Sequence, residues 1–403
     1  MIRITKSHSA IEAEKYFDLA LKTSDYYAKE QGTWGGKGAE RLGLKGKVER
    51  KDFVSLAGNK VPGTGKRLTL RQNTTREEKL RDKETGIPIL DTETGQPITT
   101  QVSNRRAGYD FTFSVPKSVS LYLAVNGDKV VEELIGEALD QTMTEIEARM
   151  ETKVRKGYQQ ENRTSPNMIY AKFIHSETRP VDGIPDPHYH IHVFAMNATF
   201  DEVEQQWKAL EIGNTVADRV FFEAHFNQLV ATKLQAAGYG IRRTESHFEL
   251  ASVSRELVEK FSRRTNLIEQ LARDKYRVLE SQARALMKST NMAFDDAFAH
   301  VVAGIGGDWD KWKSGLGARS REKKEATIFK RREELLAHWQ SEKTSVERES
   351  LRPDSRAARA PMSNTPRANA NKPALTTLTK RNGIFHNNPI SLYIIADLPP
   401  SST

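Results

Sequence analysis

Three histidines fall within five residues in "DPHYHIHVFAMN", residues 186–197. Side chains on a β-strand alternate between its two faces. His190 and His192 would therefore aim two imidazoles at one side, while Ile191 and Val193 pack inward on the other. A third histidine, His175, ends the preceding strand candidate "NMIYAKFIH". If the two strands pair as antiparallel neighbours, it joins the other two. Three neutral imidazoles leave coordination positions open, as a catalytic metal requires. The competing reading is ordinary hydrogen-bonded histidines. His188 shares the face but opens the strand beside Pro187, where solvent is its expected neighbour.

Two other residue types add to this. "KYFDLALKTSDYYAKEQG" places Tyr16, Tyr26 and Tyr27 in a polar helix-then-turn segment. Their bland role is packing with the hydroxyl hydrogen-bonded; their chemical role is attack on an electrophile to form a covalent ester. Beside a metal, a phenoxide and a polarised phosphate make a transesterification centre. Asp110 lies in "GYDFTFSVPKSVSLYLAV", sharing a strand face with Thr112 and Ser114, opposite Tyr109, Phe111 and Phe113. It is either an ordinary solvated acid, or it orients a ligand imidazole or takes the tyrosine proton.

The elements that must position these groups follow from periodicity. Ser9 and Glu12 have capping-box spacing, and Ala10, Ala13, Phe17, Ala20 and Leu21 recur at helical intervals, so a helix starts near Ala10. A second short helix is expected around Ala39–Leu42. Pro116 opens a helix, "DKVVEELIGEALDQTMTEIEARM" is strongly amphipathic, and "VADRVFFEAHFNQLVATKLQAAGYG" is a helix closed by Gly238. "IRRTESHFELA" reads as strand, with helices following to about residue 287. The near-repeats "DKETGIPIL" and "DTETGQPIT" mark an exposed hairpin or meander within 61–105. One more helix is expected through "REKKEATIFKRREELLAHWQ". From about 342 the composition turns to Ser, Arg, Pro and Asn, the signature of a disordered tail.

Bulk properties set limits. At 403 residues the chain can build two or three domains. A net charge of +9 favours an anionic partner, nucleic acid before membrane. Without cysteine there are no disulfides and no thiolate chemistry, so reactive roles fall to His, Tyr, Ser, Asp and Glu. No run approaches 18 apolar residues, which argues against membrane insertion, and the N-terminus lacks a signal-peptide pattern. Cytoplasm is the default compartment. "GTGK" at 63–66 lacks the spacing and context of a P-loop.

Taken together, "YDFTFSVPKSVS", the His-x-His after "DP", "WGGKGAERLGL" and the N-terminal tyrosines resemble the relaxase domain of MobF-type conjugative relaxases, members of the HUH endonucleases. The resemblance covers roughly residues 1–300 in the same motif order. It implies an α+β fold, with a central antiparallel β-sheet flanked by helices. Here that means a relaxase domain over 1–300 with an insertion at about 71–100, a helical extension over 301–341 and a disordered tail over 342–403. It further implies metal-assisted nicking of one strand at a plasmid origin of transfer, leaving a 5′-phosphotyrosine and a free 3′-hydroxyl. The resemblance carries nicking to Tyr16, later strand transfer to Tyr26 with Tyr27 beside it, and activation of the tyrosine or support of a histidine to Asp110. It carries the metal to His175, His190 and His192. The family's ion is Mg²⁺ or Mn²⁺, although three imidazoles alone would suit a softer metal. Trp34 and Tyr109 are candidate stacking platforms for single-stranded origin DNA. Expected partners beyond DNA are accessory relaxosome proteins, a separate helicase and a type IV coupling protein.

Departures from the family pattern are visible. Many relatives have two tyrosines where this chain has Tyr16 and Phe17; the His175-to-"DPHYHIH" stretch is longer; and no Walker A motif follows. The rival readings are a rolling-circle replication initiator or transposase, a degenerate relaxase that only binds origin DNA, and a metal-dependent hydrolase with Tyr16 structural.

Overall fold

The computed structural model describes residues 2–23, 32–70, 75–81, 87–91, 94–103, 105–157, 159–245, 247–304, 312, 315–317, 319–320, 322, 327–329 and 331–352. In the N-terminal third the elements are β1 (Ile2–Ser7), α1 (Ala10–Thr23), β2 (Thr33–Gly35), α2 (Lys37–Arg41), α3 (Arg50–Ala57), β3 (Thr75–Lys79), β4 (Thr99–Ser103) and β5 (Gly108–Ser114). The middle contains α4 (Lys117–Asn126), α5 (Lys129–Ala148), β6 (Glu151–Lys156), β7 (Gln159–Thr164), β8 (Tyr170–Glu177), β9 (Pro187–Met196), β10 (Thr199–Asp201), β11 (Gln206–Lys208) and β12 (Leu210–Glu211). There follow α6 (Gly213–Ala217), α7 (Arg219–Ala236), β13 (Ile241–Arg243), β14 (Phe248–Leu250), α8 (Arg255–Lys260), α9 (Arg263–Thr290), α10 (Phe294–Ala303), α11 (Arg332–Ser341) and α12 (Ser345–Ser350).

A five-stranded antiparallel sheet in the order β1-β5-β9-β8-β2 is the frame. The two-residue alternation predicted for β5 is borne out: Tyr109, Phe111 and Phe113 are buried and Asp110, Thr112 and Ser114 half-buried. One sheet face carries the larger core, where Phe111, Phe113, Ile191 and Val193 pack with Val119, Ile135, Met143, Phe222 and Phe226 of α4, α5 and α7. The other face is covered in part by α1 and α3, through Phe17, Phe53, Phe173 and Phe194. The uncovered remainder of that second face presents the polar residues of β5 and the histidines.

Local sequence accounts for the edges of these elements. Ser9 Oγ accepts from the Glu12 backbone N–H at 3.1 Å, and the Glu12 carboxylate reaches back to the N–H of His8 at 2.6 Å, which starts α1 where the capping residues predict. Asp128 caps α5 by accepting from Val130 and Val131, and also takes the hydroxyls of Tyr122 and Tyr239 at 2.8 Å each. Gly36 has φ of 92°, and a Cβ there would lie 2.3 Å from the Met168 carbonyl oxygen. The "WGGKG" stretch thus lets α2 approach β8 closely.

Several expectations need correction. Ile2–Ser7 is an edge strand paired with β5, an element not read from the sequence. Of the helix expected through 321–340, the described residues show Arg332–Ser341 as helical, while residues 327–329 are not helical. The expected disordered tail does not begin at 342. Residues Ser345–Ser350 are helical, and Leu351 is fully buried in the same core as Leu335 and Trp339, because α11 and α12 lay their apolar residues on the sheet's helical layer. Beyond Arg352 the expected tail lies outside the described residues. The insertion does form a meander: β3 pairs with β4, and Arg81–Pro88 and Leu90–Pro97 bridges continue it.

Candidate metal centre and nucleophile

The ladder between β8 and β9 sets His175 directly opposite His190, with Phe173 opposite His192. On the other side, β5 sets Thr112 opposite His192 and Ser114 opposite His190. Three imidazoles from two adjacent strands therefore meet, with one ligand nitrogen from each lying within 4.8 Å of the others. Ring centroids are 4.8 Å apart for His175–His192, 5.0 Å for His190–His192 and 5.3 Å for His175–His190.

The neighbours of these rings fix which nitrogen is available. His192 Nδ1 lies 2.8 Å from Asp110 Oδ2, and His190 Nδ1 lies 2.8 Å from the His188 carbonyl oxygen. Both neighbours are acceptors only, so each Nδ1 holds the proton and each Nε2 is left as a ligand. Burial, reinforced by the surrounding imidazoles, pushes His190 well below its usual value and keeps it neutral. Two imidazoles with oriented tautomers and a third ring nitrogen beside them fit a divalent cation.

Tyr16, half-buried on α1, donates from its hydroxyl to Asp110 Oδ1 at 3.0 Å. Its ring packs edge-on to His192 at 5.9 Å and against Phe194 at 5.1 Å. Burial, then the Asp110 charge and hydrogen bond, raise its phenol well above the ordinary tyrosine value. One carboxylate thus links the phenol to an imidazole of the candidate metal centre. Thr112 Oγ1 closes the cluster at 3.3 Å from His192 Nδ1.

Of the predicted residues, the structure brings together Tyr16, Asp110, His175, His190 and His192. Tyr26 and Tyr27 lie outside the described residues. Three other expectations are corrected. His188 is only half-exposed; it stacks on His190 at 4.8 Å, and burial together with the nearby Lys117 charge lowers it to about 3. Trp34 is buried against Phe53, and Tyr109 lies in the core on the opposite sheet face, so neither ring offers a free stacking surface. Sequence reasoning missed Lys117, whose Nζ donates to the Pro187 carbonyl at 2.8 Å and which burial lowers to about 8. Its signal was the "VPKSVS" that follows the Asp110 strand.

Among the described residues no helix is long and apolar enough to cross a membrane. Comparison with known proteins gives a consistent result. The TrwC relaxase family model matches residues 10–346. Two proteins called multifunctional conjugation protein TraI are similar. One from Escherichia coli is 29% identical over 58% of this chain, and one from Escherichia coli strain K12 is 28% identical over 66%. The chain spans only 12% and 14% of those relatives' lengths. A metal-bound structure of conjugative relaxase TrwC with oriT DNA is 26% identical, with a TM-score of 0.59, covering 87% of this chain and 98% of that one. A TrwC structure with a 27-mer DNA comprising the recognition hairpin and the cleavage site is 25% identical with the same TM-score and coverage. With the matched region running from α1 through the metal-ligand strands to α12, the chain belongs to the TrwC relaxase family.

Proposed function

We propose that this chain is the nicking unit of a conjugative relaxase, cutting one strand of origin-of-transfer DNA by tyrosine transesterification. The observation that carries this reading is the continuous contact from the Tyr16 hydroxyl through Asp110 to His192, beside the other two imidazoles. Tyr16 Oη attacks the scissile phosphorus, the bond to the 3′-oxygen breaks, and a 5′-phosphotyrosine and a 3′-hydroxyl result. Asp110 Oδ1 stands where the phenolic proton must leave. Its other oxygen holds His192 in the ligand tautomer. His175, His190 and His192 would hold a divalent cation, for which we favour Mg²⁺ or Mn²⁺, and the ion would supply Lewis-acid stabilisation of charge developing on the phosphate. The ester conserves the phosphodiester's energy, so the reverse attack by a 3′-hydroxyl rejoins the strand.

The site roles of all these residues are part of the proposal, as is strand transfer by Tyr26 with Tyr27 beside it. So are single-stranded DNA as the partner in a cytoplasmic relaxosome with accessory proteins, a helicase and a coupling protein, and a relaxase unit over about 1–300 followed by its helical extension. The test is incubation with an origin-like single-stranded oligonucleotide and Mg²⁺ or Mn²⁺. A covalent protein–DNA adduct that disappears in Tyr16→Phe is expected. Cleavage that survives Tyr16→Phe removes Tyr16 as nucleophile, and binding without any adduct leaves a DNA-binding protein.

A further inference from the structure

The connection between the two ligand strands is held by residues far along the chain. The backbone N–H groups of Asp182 and Gly183 donate to the Glu322 carboxylate at 3.0 and 3.4 Å. The Ile328 N–H donates to the Gly183 carbonyl at 3.0 Å, and Trp339 Nε1 donates to the Pro185 carbonyl at 2.9 Å. Asp186, only 1% exposed, accepts from the Arg263 backbone N–H at 2.8 Å and forms an ion pair with the Arg263 guanidinium. The other arm of that guanidinium pairs with Glu342. Thr178 and Asp186 close the base of the connection through Thr178 N–H to the Asp186 carbonyl and Asp186 N–H to Thr178 Oγ1, each 2.9 Å.

These ties meet the sheet at one end of the β8–β9 ladder. His175–His190 is the last regular pair of the β8–β9 ladder, since the register shifts between His175 and Glu177 before β9 begins at Pro187. Two of the three ligands therefore sit at the end of a ladder, where strands fray.

We infer that Arg263 is a positioning residue for the metal centre: by joining Asp186 to Glu342 it anchors the start of β9 and keeps His190 in register with His175. The inference rests on the reading of the three histidines as metal ligands. Asp186 lies four residues before His190, and the His188 carbonyl that orients the His190 ring lies between them. Residues that orient ligands from outside the coordination sphere typically change metal affinity by about 10–100-fold when lost. Without the guanidinium, the buried Asp186 keeps the Lys117 charge and the backbone N–H of residue 263 but loses its direct ion pair, which is unfavourable for a buried carboxylate. On this view, the C-terminal residues 322–342 belong to the metal site although none of them touches it.

The experiment is Mn²⁺ titration of the full chain, with free Mn²⁺ read by its paramagnetic resonance signal and folding read by circular dichroism and Tm. Arg263→Met is expected to bind Mn²⁺ roughly tenfold more weakly or worse while staying folded at the measuring temperature. Arg263→Lys, which keeps a charge for Asp186, is expected to recover part of the loss. Trp339→Phe and Glu342→Gln, each removing one tie, are expected to show smaller losses. A merely stabilising arginine would lower Tm and leave Mn²⁺ affinity of the folded protein intact; that result in Arg263→Met overturns the inference. If Arg263→Met does not fold, Glu342→Gln decides: weakened Mn²⁺ binding supports the inference and wild-type affinity overturns it. A wild-type protein that binds no Mn²⁺ overturns the metal centre itself, and this inference with it.

Discussion

Asp110 works in two directions, and substitutions separate them. Asp110→Asn keeps the shape but supplies only one acceptor oxygen for the two donors, Tyr16 and His192, and its amide nitrogen has no lone pair to offer. Nicking is expected to fall by about 10²–10⁴-fold in single-turnover cleavage, with Mn²⁺ affinity also reduced. A change in only one of these quantities would mean the carboxylate serves only one of its neighbours. The raised phenol makes a second statement possible at this scale. In metal-free protein Tyr16 should stay protonated below pH 10, so the ultraviolet difference titration between wild type and Tyr16→Phe should show no phenolate absorbance in that range. An ionisation below pH 10 would contradict the burial argument. His190 and His192 were legible in the sequence because strand alternation is a strict two-residue rule. The position of His188 was not, because stacking on His190 depends on the packing above the strand.

Among the elements, the antiparallel neighbours β8 and β9 do most to build the site, and they carried the sequence argument about His175. Their aromatic layer should be sensitive. Phe53 and Phe194 are fully buried with ring centroids 5.1 Å apart, and Phe194→Ala is expected to cost about 3–5 kcal/mol of stability, measurable by denaturant unfolding. The edge strand β1 escaped sequence reading because "IRITKS" is short and interrupted by basic residues, and only its pairing with β5 shows its role. The turn between α11 and α12 gives a pH test. Lys343 is 4% exposed near the Phe261 ring, and burial lowers it to about 8 despite Glu342 and Glu347. The unfolded chain holds that proton up to about 10.5, so the folded state binds fewer protons between pH 8 and 10.5, and this group's contribution to stability rises with pH there. Relative to Lys343→Met, wild-type Tm should gain from pH 8 to 10; a constant difference would show that the lysine is not depressed.

For the molecule as a whole, the fold class followed from the family resemblance, and the sheet order needed the structure. The ties from Arg263 and Trp339 to residues 185–186, and from Glu342 to Arg263, span 77 or more positions, and no local pattern announces contacts of that range. Net charge was legible at once and leads to a prediction at the same scale. With 62 basic against 53 acidic residues, single-strand binding should draw on phosphate neutralisation and weaken roughly tenfold or more between 50 and 200 mM salt. A flat salt response in fluorescence anisotropy would show that charge does not drive binding. One consequence of α1 concerns the position after the proposed nucleophile. Phe17 is fully buried against Phe53 and Phe173, while Tyr16, about 100° around the helix, faces Asp110. The phenylalanine is therefore the fulcrum on which the reactive phenol is aimed. Carving it back to alanine should swing the phenol away and abolish the proposed nicking at temperatures where the protein is still intact.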